Sequence, residues 1–180
     1  MPDLQSIALV GLSGVGKSSV GRLLAARLGW PLLDTDALIA ETAGRTVAQI
    51  FADSGEPRFR DLESAALQRA LSITACVVST GGGIVLRAEN RALLRARAFV
   101  VWLDAPTETL AARLLAHDEA RPLIGGDDPV ARLEALRAAR AGLYAQVAHA
   151  RVVAADHAYD QICAQILQLS RKVKKEPEKK

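Results

Sequence analysis

Apolar residues along this chain follow two alternating rhythms. Short unbroken runs, beginning with Ser6-Ile7-Ala8-Leu9-Val10, give way to longer stretches in which apolar positions recur every three or four residues. After the first run, Val20, Leu23, Leu24 and Leu28 follow at helical spacing, and Gly29 stands where a helix would end. Comparable runs at 31–33, 75–78, 98–103 and 151–153 predict four further strands. Helical patterns near 17–28, 36–43, 46–54, 57–73, 87–97, 106–117, 129–148 and 158–172 fill the intervals. Apolar strands alternating with helices predict an α/β fold with a five-stranded parallel sheet flanked by helices on both faces.

Two segments interrupt the alternation. Several short helices at about 34–71 read as a substrate-binding insert, and a glycine-rich polar stretch at about 116–129 reads as a mobile lid. At 180 residues the chain fits one domain, expected over 1–170. No apolar stretch approaches the roughly 20 residues a spanning helix needs, and Met1-Pro2-Asp3 lacks the basic start of a secretory signal, so a cytoplasmic protein is expected. Cys76 and Cys163 lie far apart in apolar contexts, without the spacing of zinc ligands, and read as reduced core residues.

A pI near 9.1 would suit a polyanionic partner, so the position of the charge matters. Residues 171–180 carry six basic and two acidic side chains, a net of +4 against +3 for the whole chain, which leaves 1–170 at −1. The basicity belongs to a tail expected to be disordered, and the body presents no cationic field. With only seven aromatic residues for base stacking as well, nucleic acid is not an expected partner, and a monomer is anticipated. Before the tail, sixteen of seventeen basic residues are arginine, and the remaining one is Lys17.

That lysine falls in Gly11-Leu12-Ser13-Gly14-Val15-Gly16-Lys17-Ser18, which matches G-x-x-x-x-G-K-[ST] between a strand and a helix. The glycines let backbone N–H groups curl around phosphate oxygens, and the helix N-terminus adds the positive end of its dipole. Gly11, Ser13, Gly14, Val15, Gly16, Lys17, Ser18 and Ser19 are the expected nucleotide cradle, with Lys17 reaching the β- and γ-phosphates and Ser18 a ligand for Mg2+. Leu32-Leu33-Asp34-Thr35-Asp36 ends the second strand in two carboxylates, which in an extended chain point the same way. An Asp-x-Asp at a helix start also serves as a cap. Beside a phosphate loop the pair suits phosphoryl transfer, Asp34 holding Mg2+ through its waters and Asp36 receiving the acceptor's hydroxyl proton.

Other candidates carry two readings each. Ser79-Thr80-Gly81-Gly82-Gly83 closes the third strand in a plain turn, or in a backbone that approaches a ligand where no side chain would fit. Arg60 and Glu63, one helical turn apart, form a surface ion pair or part of a site. Arg140 stands inside the apolar stripe of Leu133, Leu136, Leu143, Tyr144 and Val147, so its guanidinium needs an anion, either an internal carboxylate or an acidic ligand. Arg121, ahead of Pro122 and Gly125-Gly126, is an isolated surface arginine or a cation that a mobile loop brings over the transferring phosphate.

Taken in order, and with Gly55-Glu56, Phe59-Arg60 and Arg121-Pro122-Leu123-Ile124 added, these motifs resemble the shikimate kinases from Ser6 to about Val153. The resemblance implies Mg2+-dependent transfer of the ATP γ-phosphoryl group to the 3-hydroxyl of shikimate, giving shikimate 3-phosphate and ADP on the route to chorismate and the aromatic amino acids. It implies that Asp36, Arg60, Gly82 and Arg140 hold shikimate, both arginines on its carboxylate and Asp36 on the reacting hydroxyl. Gly81 and Gly83 would frame that contact and Glu63 would orient Arg60. Lys17 and Arg121 would neutralise the transferring phosphate, Ser18 directly and Asp34 through water would hold Mg2+, and Arg113 would stack on adenine. The family's other adenine contact, a loop often bearing Asp and Pro, reads here Val153-Ala154-Ala155-Asp156-His157, without proline.

A kinase for gluconate or a nucleoside monophosphate on the same scaffold is the alternative, and two arginines with Asp36 favour a small hydroxy acid over it. A guanine-nucleotide switch would need Asn-Lys-x-Asp. Asn90 is the one asparagine and no lysine lies between Lys17 and the tail, so that motif is excluded.

Overall fold

The structure, a computed structural model, describes residues 6–116, 128–154 and 158–173. In chain order the elements are β1 (Ile7–Val10), α1 (Lys17–Leu28), β2 (Leu32–Asp34), α2 (Thr35–Ala43), α3 (Val47–Leu71), β3 (Val77–Ser79), α4 (Ala88–Arg97), β4 (Phe99–Asp104), α5 (Thr107–Ala116), α6 (Pro129–Val147), β5 (Ala150–Val153) and α7 (Tyr159–Val173), with a 3-10 turn at Ile84–Leu86. The strands are all parallel, in the order β2-β3-β1-β4-β5. β1, β3 and β4 are buried throughout, which is why their sequences read as unbroken apolar runs.

From central β1 the chain goes out to edge strand β2, returns through β3 beside β1 and continues on the other side to β4 and β5, so the sheet has its switch point at β1 and β3 and a crevice opens there at the carboxyl ends of the strands. Residues 11–16 follow β1 into it, Asp34 ends β2, the glycine run follows β3, and Asp104 ends β4. The register aligns Leu9 with Ser79 and Ser79 with Asp34, bringing these chain ends level.

The helices between β2 and β3 carry their own small core, Ile39, Ile50, Phe59 and Ala66, packed between α2 and α3. A Thr46–Gln49 capping box starts α3. The two helices expected at 46–54 and 57–73 are consecutive segments of this element, broken at Gly55, where φ is 73° and ψ 172°. Only glycine adopts that conformation readily, and Pro57 follows in a first turn where its missing N–H does no harm.

Helix α7 runs through Arg171 and Lys172 to Val173, so the start of the segment read as tail is helical; 174–180 lie outside the described residues. Arg121, most of the 116–129 stretch and Asp156-His157 lie outside them too. Cys76 and Cys163 are buried, free thiols. Among the described residues no helix is long and apolar enough to cross a membrane.

Gly55→Ala should cost roughly 1–3 kcal/mol, because alanine is forced into glycine's region. Gly142, in open space on the exposed face of α6, supplies the control. Thermal melts should show Gly55→Ala below wild type and Gly142→Ala level with it or above.

Candidate active site

The P-loop enters α1 through Gly16, the helix's N-cap. Lys17 is buried, and its Nζ donates to Gly11 O at 2.9 Å and Leu12 O at 2.8 Å, so the ammonium lies across the loop from which it springs. Ser18 Oγ donates to Asp34 Oδ2 at 2.9 Å and stands 3.2 Å from Ser79 Oγ.

Asp34 caps a helix and faces the phosphate loop at once. Its Oδ1 caps α2, accepting from Asp36 N at 3.0 Å and Ala37 N at 3.4 Å, while Oδ2 faces Ser18. The expectation that Asp34 and Asp36 point the same way from an extended chain is corrected. Asp34 is extended, at φ −98° and ψ 121°, but the cap bond starts the helix immediately after it and Asp36 lies in the first turn. The alternation of an extended chain therefore does not apply, and within one cleft Asp34 faces Ser18 while Asp36 faces Gly81.

The glycine run is more than a plain turn, because each glycine turns a bare α-carbon toward a different group. A Cβ on Gly81 would stand 2.8 Å from Glu63 Oε1 and 3.0 Å from Asp36 Oδ1. One on Gly82 would lie 3.6 Å from Arg140 Nη1 and 3.5 Å from Ser13 N in the P-loop. One on Gly83 would be 2.1 Å from Arg60 Nη1, so a side chain there would have to displace the guanidinium from its carboxylates.

Arg60 and Glu63 are not a surface pair: their side chains are 8% and 1% exposed and meet at 2.8 Å. Arg60 also donates from Nε (3.1 Å) and Nη2 (2.8 Å) to Glu56 Oε1. Burial opposes its charge, but the two carboxylates outweigh burial and raise its pKa, so it stays a guanidinium. Burial pushes the Glu63 carboxyl up; Arg60 opposes that shift and Asp36 adds to it. Glu63 Oε1 is buried without a hydrogen-bond partner among the described residues.

Arg140 is 7% exposed; it makes no ion pair at contact distance among the described residues, and the Glu63 carboxyl lies within its electrostatic reach. Its guanidinium lies beside the hydroxyl of Tyr144, which donates to Gly82 O. Burial pushes the Tyr144 pKa up to about 12, with Arg140 opposing, so the hydroxyl keeps its proton.

A cleft of about 480 Å3, in the size range of small-molecule sites, opens between the phosphate loop and the glycine run. It runs from Arg113 and Tyr159 past Lys17 and Ser18 to Asp34, Asp36 and Gly82. Arg113 donates to Ala154 O at 3.0 Å. Sequence reasoning missed the hold of Glu56 on Arg60, although a glutamate four residues before an arginine was a legible signal. Tyr159, whose ring packs against Gly16, and the hydroxyl of Tyr144 gave no signal, since each reads simply as an aromatic of a helix.

A parallel sheet in this order, with a phosphate loop after its central strand and an acidic residue closing the strand that ends level with it, defines a class: the P-loop kinases of small molecules. The family model for shikimate kinase matches residues 13–171. The chain belongs to the shikimate kinase family and is an enzyme, a kinase. It is 50% identical over 164 residues to a shikimate kinase of Symbiobacterium thermophilum, covering 91% of this chain and 94% of that one. It is 43% identical over 171 residues to one of Trichormus variabilis, covering 95% and 93%. Among solved structures, the shikimate kinase from Acinetobacter baumannii in complex with shikimate superposes with a TM-score of 0.91 at 38% identity over 97% of both chains. A gluconokinase from Sinorhizobium meliloti, at 21% identity over 94% of this chain and 93% of that one, with a TM-score of 0.62, shares the fold.

A raised pKa means that the folded protein holds the Glu63 proton more tightly than the unfolded chain. Its contribution to stability is complete below the ordinary value of 4.5 and fades as pH rises through the folded value. In ligand-free thermal melts from about pH 4 to 8, wild type should lose ground to Glu63→Gln as pH rises. The opposite trend would mean that attraction to Arg60 outweighs burial.

Proposed function

We propose that the protein transfers the γ-phosphoryl group of ATP to the 3-hydroxyl of shikimate, with Mg2+, giving shikimate 3-phosphate and ADP. The observation that carries this reading is the pair of buried guanidiniums at the glycine run. Arg60 is held by Glu56 and Glu63, whereas Arg140 makes no ion pair among the described residues. Two planar forks beside Asp36, with the P-loop across Gly82, suit a small acid that also carries a hydroxyl. The shikimate bound in the 38%-identical relative supports the same choice.

In this reading Arg60 and Arg140 take the carboxylate, Gly82 lies against the ring, framed by Gly81 and Gly83, and Asp36 aligns the reacting hydroxyl. That hydroxyl oxygen attacks the γ-phosphorus, the bond to the bridging oxygen breaks, ADP leaves with that oxygen, and the hydroxyl proton passes to Asp36. The P-loop, Gly11 through Ser19, cradles the phosphates; Lys17 exchanges neutral carbonyl partners for phosphate oxygens and stabilises charge in the transition state. Arg121 is assigned the same task from outside the described residues, and Arg113 the adenine.

The donor set fits magnesium. Ser18 Oγ, Asp34 Oδ2 and Ser79 Oγ form a cluster of hard oxygens, and among the described residues no group of three or more acidic, histidine or cysteine side chains makes a metal cage. Mg2+ at phosphates is typically held by one or two carboxylates and keeps its waters. Ser18 directly and Asp34 through water would hold it, and the ion would offset charge on the phosphates.

A coupled assay of ATP turnover with shikimate, gluconate and nucleoside monophosphates tests the reading. Turnover should be confined to shikimate; turnover with gluconate alone would overturn it. Lys17→Met should lose on the order of a thousandfold in kcat, and Asp36→Asn roughly a hundredfold with ATP affinity intact.

Arg140→Leu separates binding from stability. Leucine continues the apolar stripe of α6, so the ligand-free variant should melt at the wild-type temperature or above. It should bind shikimate at least about a hundredfold more weakly, a loss near 3 kcal/mol. Arg140→Lys should recover part of that affinity, because an ammonium lacks the two parallel donors of the fork. Unchanged affinity with a large loss of stability would remove Arg140 from the site.

A further inference from the structure

Four peptide groups, from Thr80–Gly81 to Gly83–Ile84, make up the glycine run, and its two ends are tied down. Gly81 O accepts from Ile84 N at 3.2 Å, Gly83 O accepts from Leu86 N at 3.0 Å, and Gly81 N donates to Thr35 Oγ1 at 3.0 Å. Among the described residues the Gly82–Gly83 peptide is held through its carbonyl alone. Its hydrogen bond is the one that Gly82 O accepts from Tyr144.

Flanked by glycines, such a peptide can flip at little local cost, exchanging the places of an acceptor and a donor. Tyr144 selects one orientation, with the carbonyl turned to α6. The same hydroxyl lies beside the Arg140 guanidinium, and Arg140 Nη1 is the group that the bare α-carbon of Gly82 faces. Tyr144 is 1% exposed, and its ring packs on Trp102 of β4 with centroids 5.8 Å apart, so its hydroxyl is carried on a rigid mount. Packing alone requires the ring, since phenylalanine would continue the stripe of α6 equally well; the hydroxyl answers to the loop.

We propose that Tyr144 is a positioning residue for the phosphoryl acceptor: its hydroxyl holds the Gly82–Gly83 peptide in one orientation and sets Arg140 against it, so that loop and guanidinium meet the substrate as one preformed surface. The inference rests on the shikimate reading of the site. Tyr144 acts through Gly82 and Arg140 and takes no part in the transfer itself.

Tyr144→Phe keeps the ring and removes the hydroxyl. It should raise KM for shikimate about three- to tenfold, the range expected for one lost hydrogen bond. KM for ATP should stay within about twofold and the melting temperature near wild type, a split that a merely structural role would not produce. With glycine labelled in 15N, the Gly82 and Gly83 amide signals should each be single in wild type and broadened or doubled in the variant. An unchanged KM for shikimate with unchanged glycine signals would overturn the proposal, as would both KM values rising together while the melting temperature falls. If wild type fails to phosphorylate shikimate, the functional reading falls by itself, and the glycine signals still decide whether Tyr144 holds the loop.

Discussion

Arg60 and Glu63 meet at 2.8 Å almost sealed from water, and the glycine-run side of the crevice is organised around what that burial demands. A buried ion is costly unless it is paired and hydrogen-bonded. Glu56 brings a second carboxylate onto the guanidinium, and Gly83 gives up a side chain so that Arg60 can lie on bare backbone. Gly81 does the same for Glu63 and Asp36. The break at Gly55 and the small core of Ile39, Ile50, Phe59 and Ala66 hold the segment that presents the pair to the sheet edge. Losing one partner would strand the other's charge, so the pair constrains its neighbours more than it stabilises the fold.

The cations of the crevice have different environments. Arg60 comes with carboxylates at contact distance, whereas Arg140 has none that close among the described residues and feels Glu63 from farther off. Lys17 lies on neutral carbonyls of its own loop. A guanidinium is a planar fork suited to carboxylates, whereas an ammonium is a compact point charge. That contrast gives physical sense to a body with sixteen arginines and one lysine. Forks pair with Glu56, Glu63, Asp61 and Asp104, and the single ammonium is kept for the phosphate loop.

Helix α6 reaches the glycine run because something pins it. Asp104, buried at the end of β4, accepts from Arg137 of α6 and Arg151 of β5, and Arg137 donates also to Ala105 O. One turn beyond Arg137 stands Arg140, and a further turn brings Tyr144. An ion cluster at the edge of the sheet thereby sets the register of the helix that carries Arg140.

The sequence by itself determined the alternation of strands and helices, the P-loop with Lys17 and Ser18, and the families of residues that could form a site. Those signals are local: an apolar period, a glycine spacing or a capping pair is written within one turn or one strand. It left Arg60 with Glu63 open between surface and interior, and it set Asp34 and Asp36 in one extended run where a helix begins. Only the tertiary structure decided these, because burial and partnership depend on which distant segments share the carboxyl edge of the sheet. Gly83 lies 23 residues after Arg60 and Gly82 lies 62 before Tyr144, yet each pair is in contact, and no spacing in the chain encodes it. A hydroxyl, a guanidinium or a bare α-carbon acquires its role from what stands opposite, and the order β2-β3-β1-β4-β5 chooses what stands opposite.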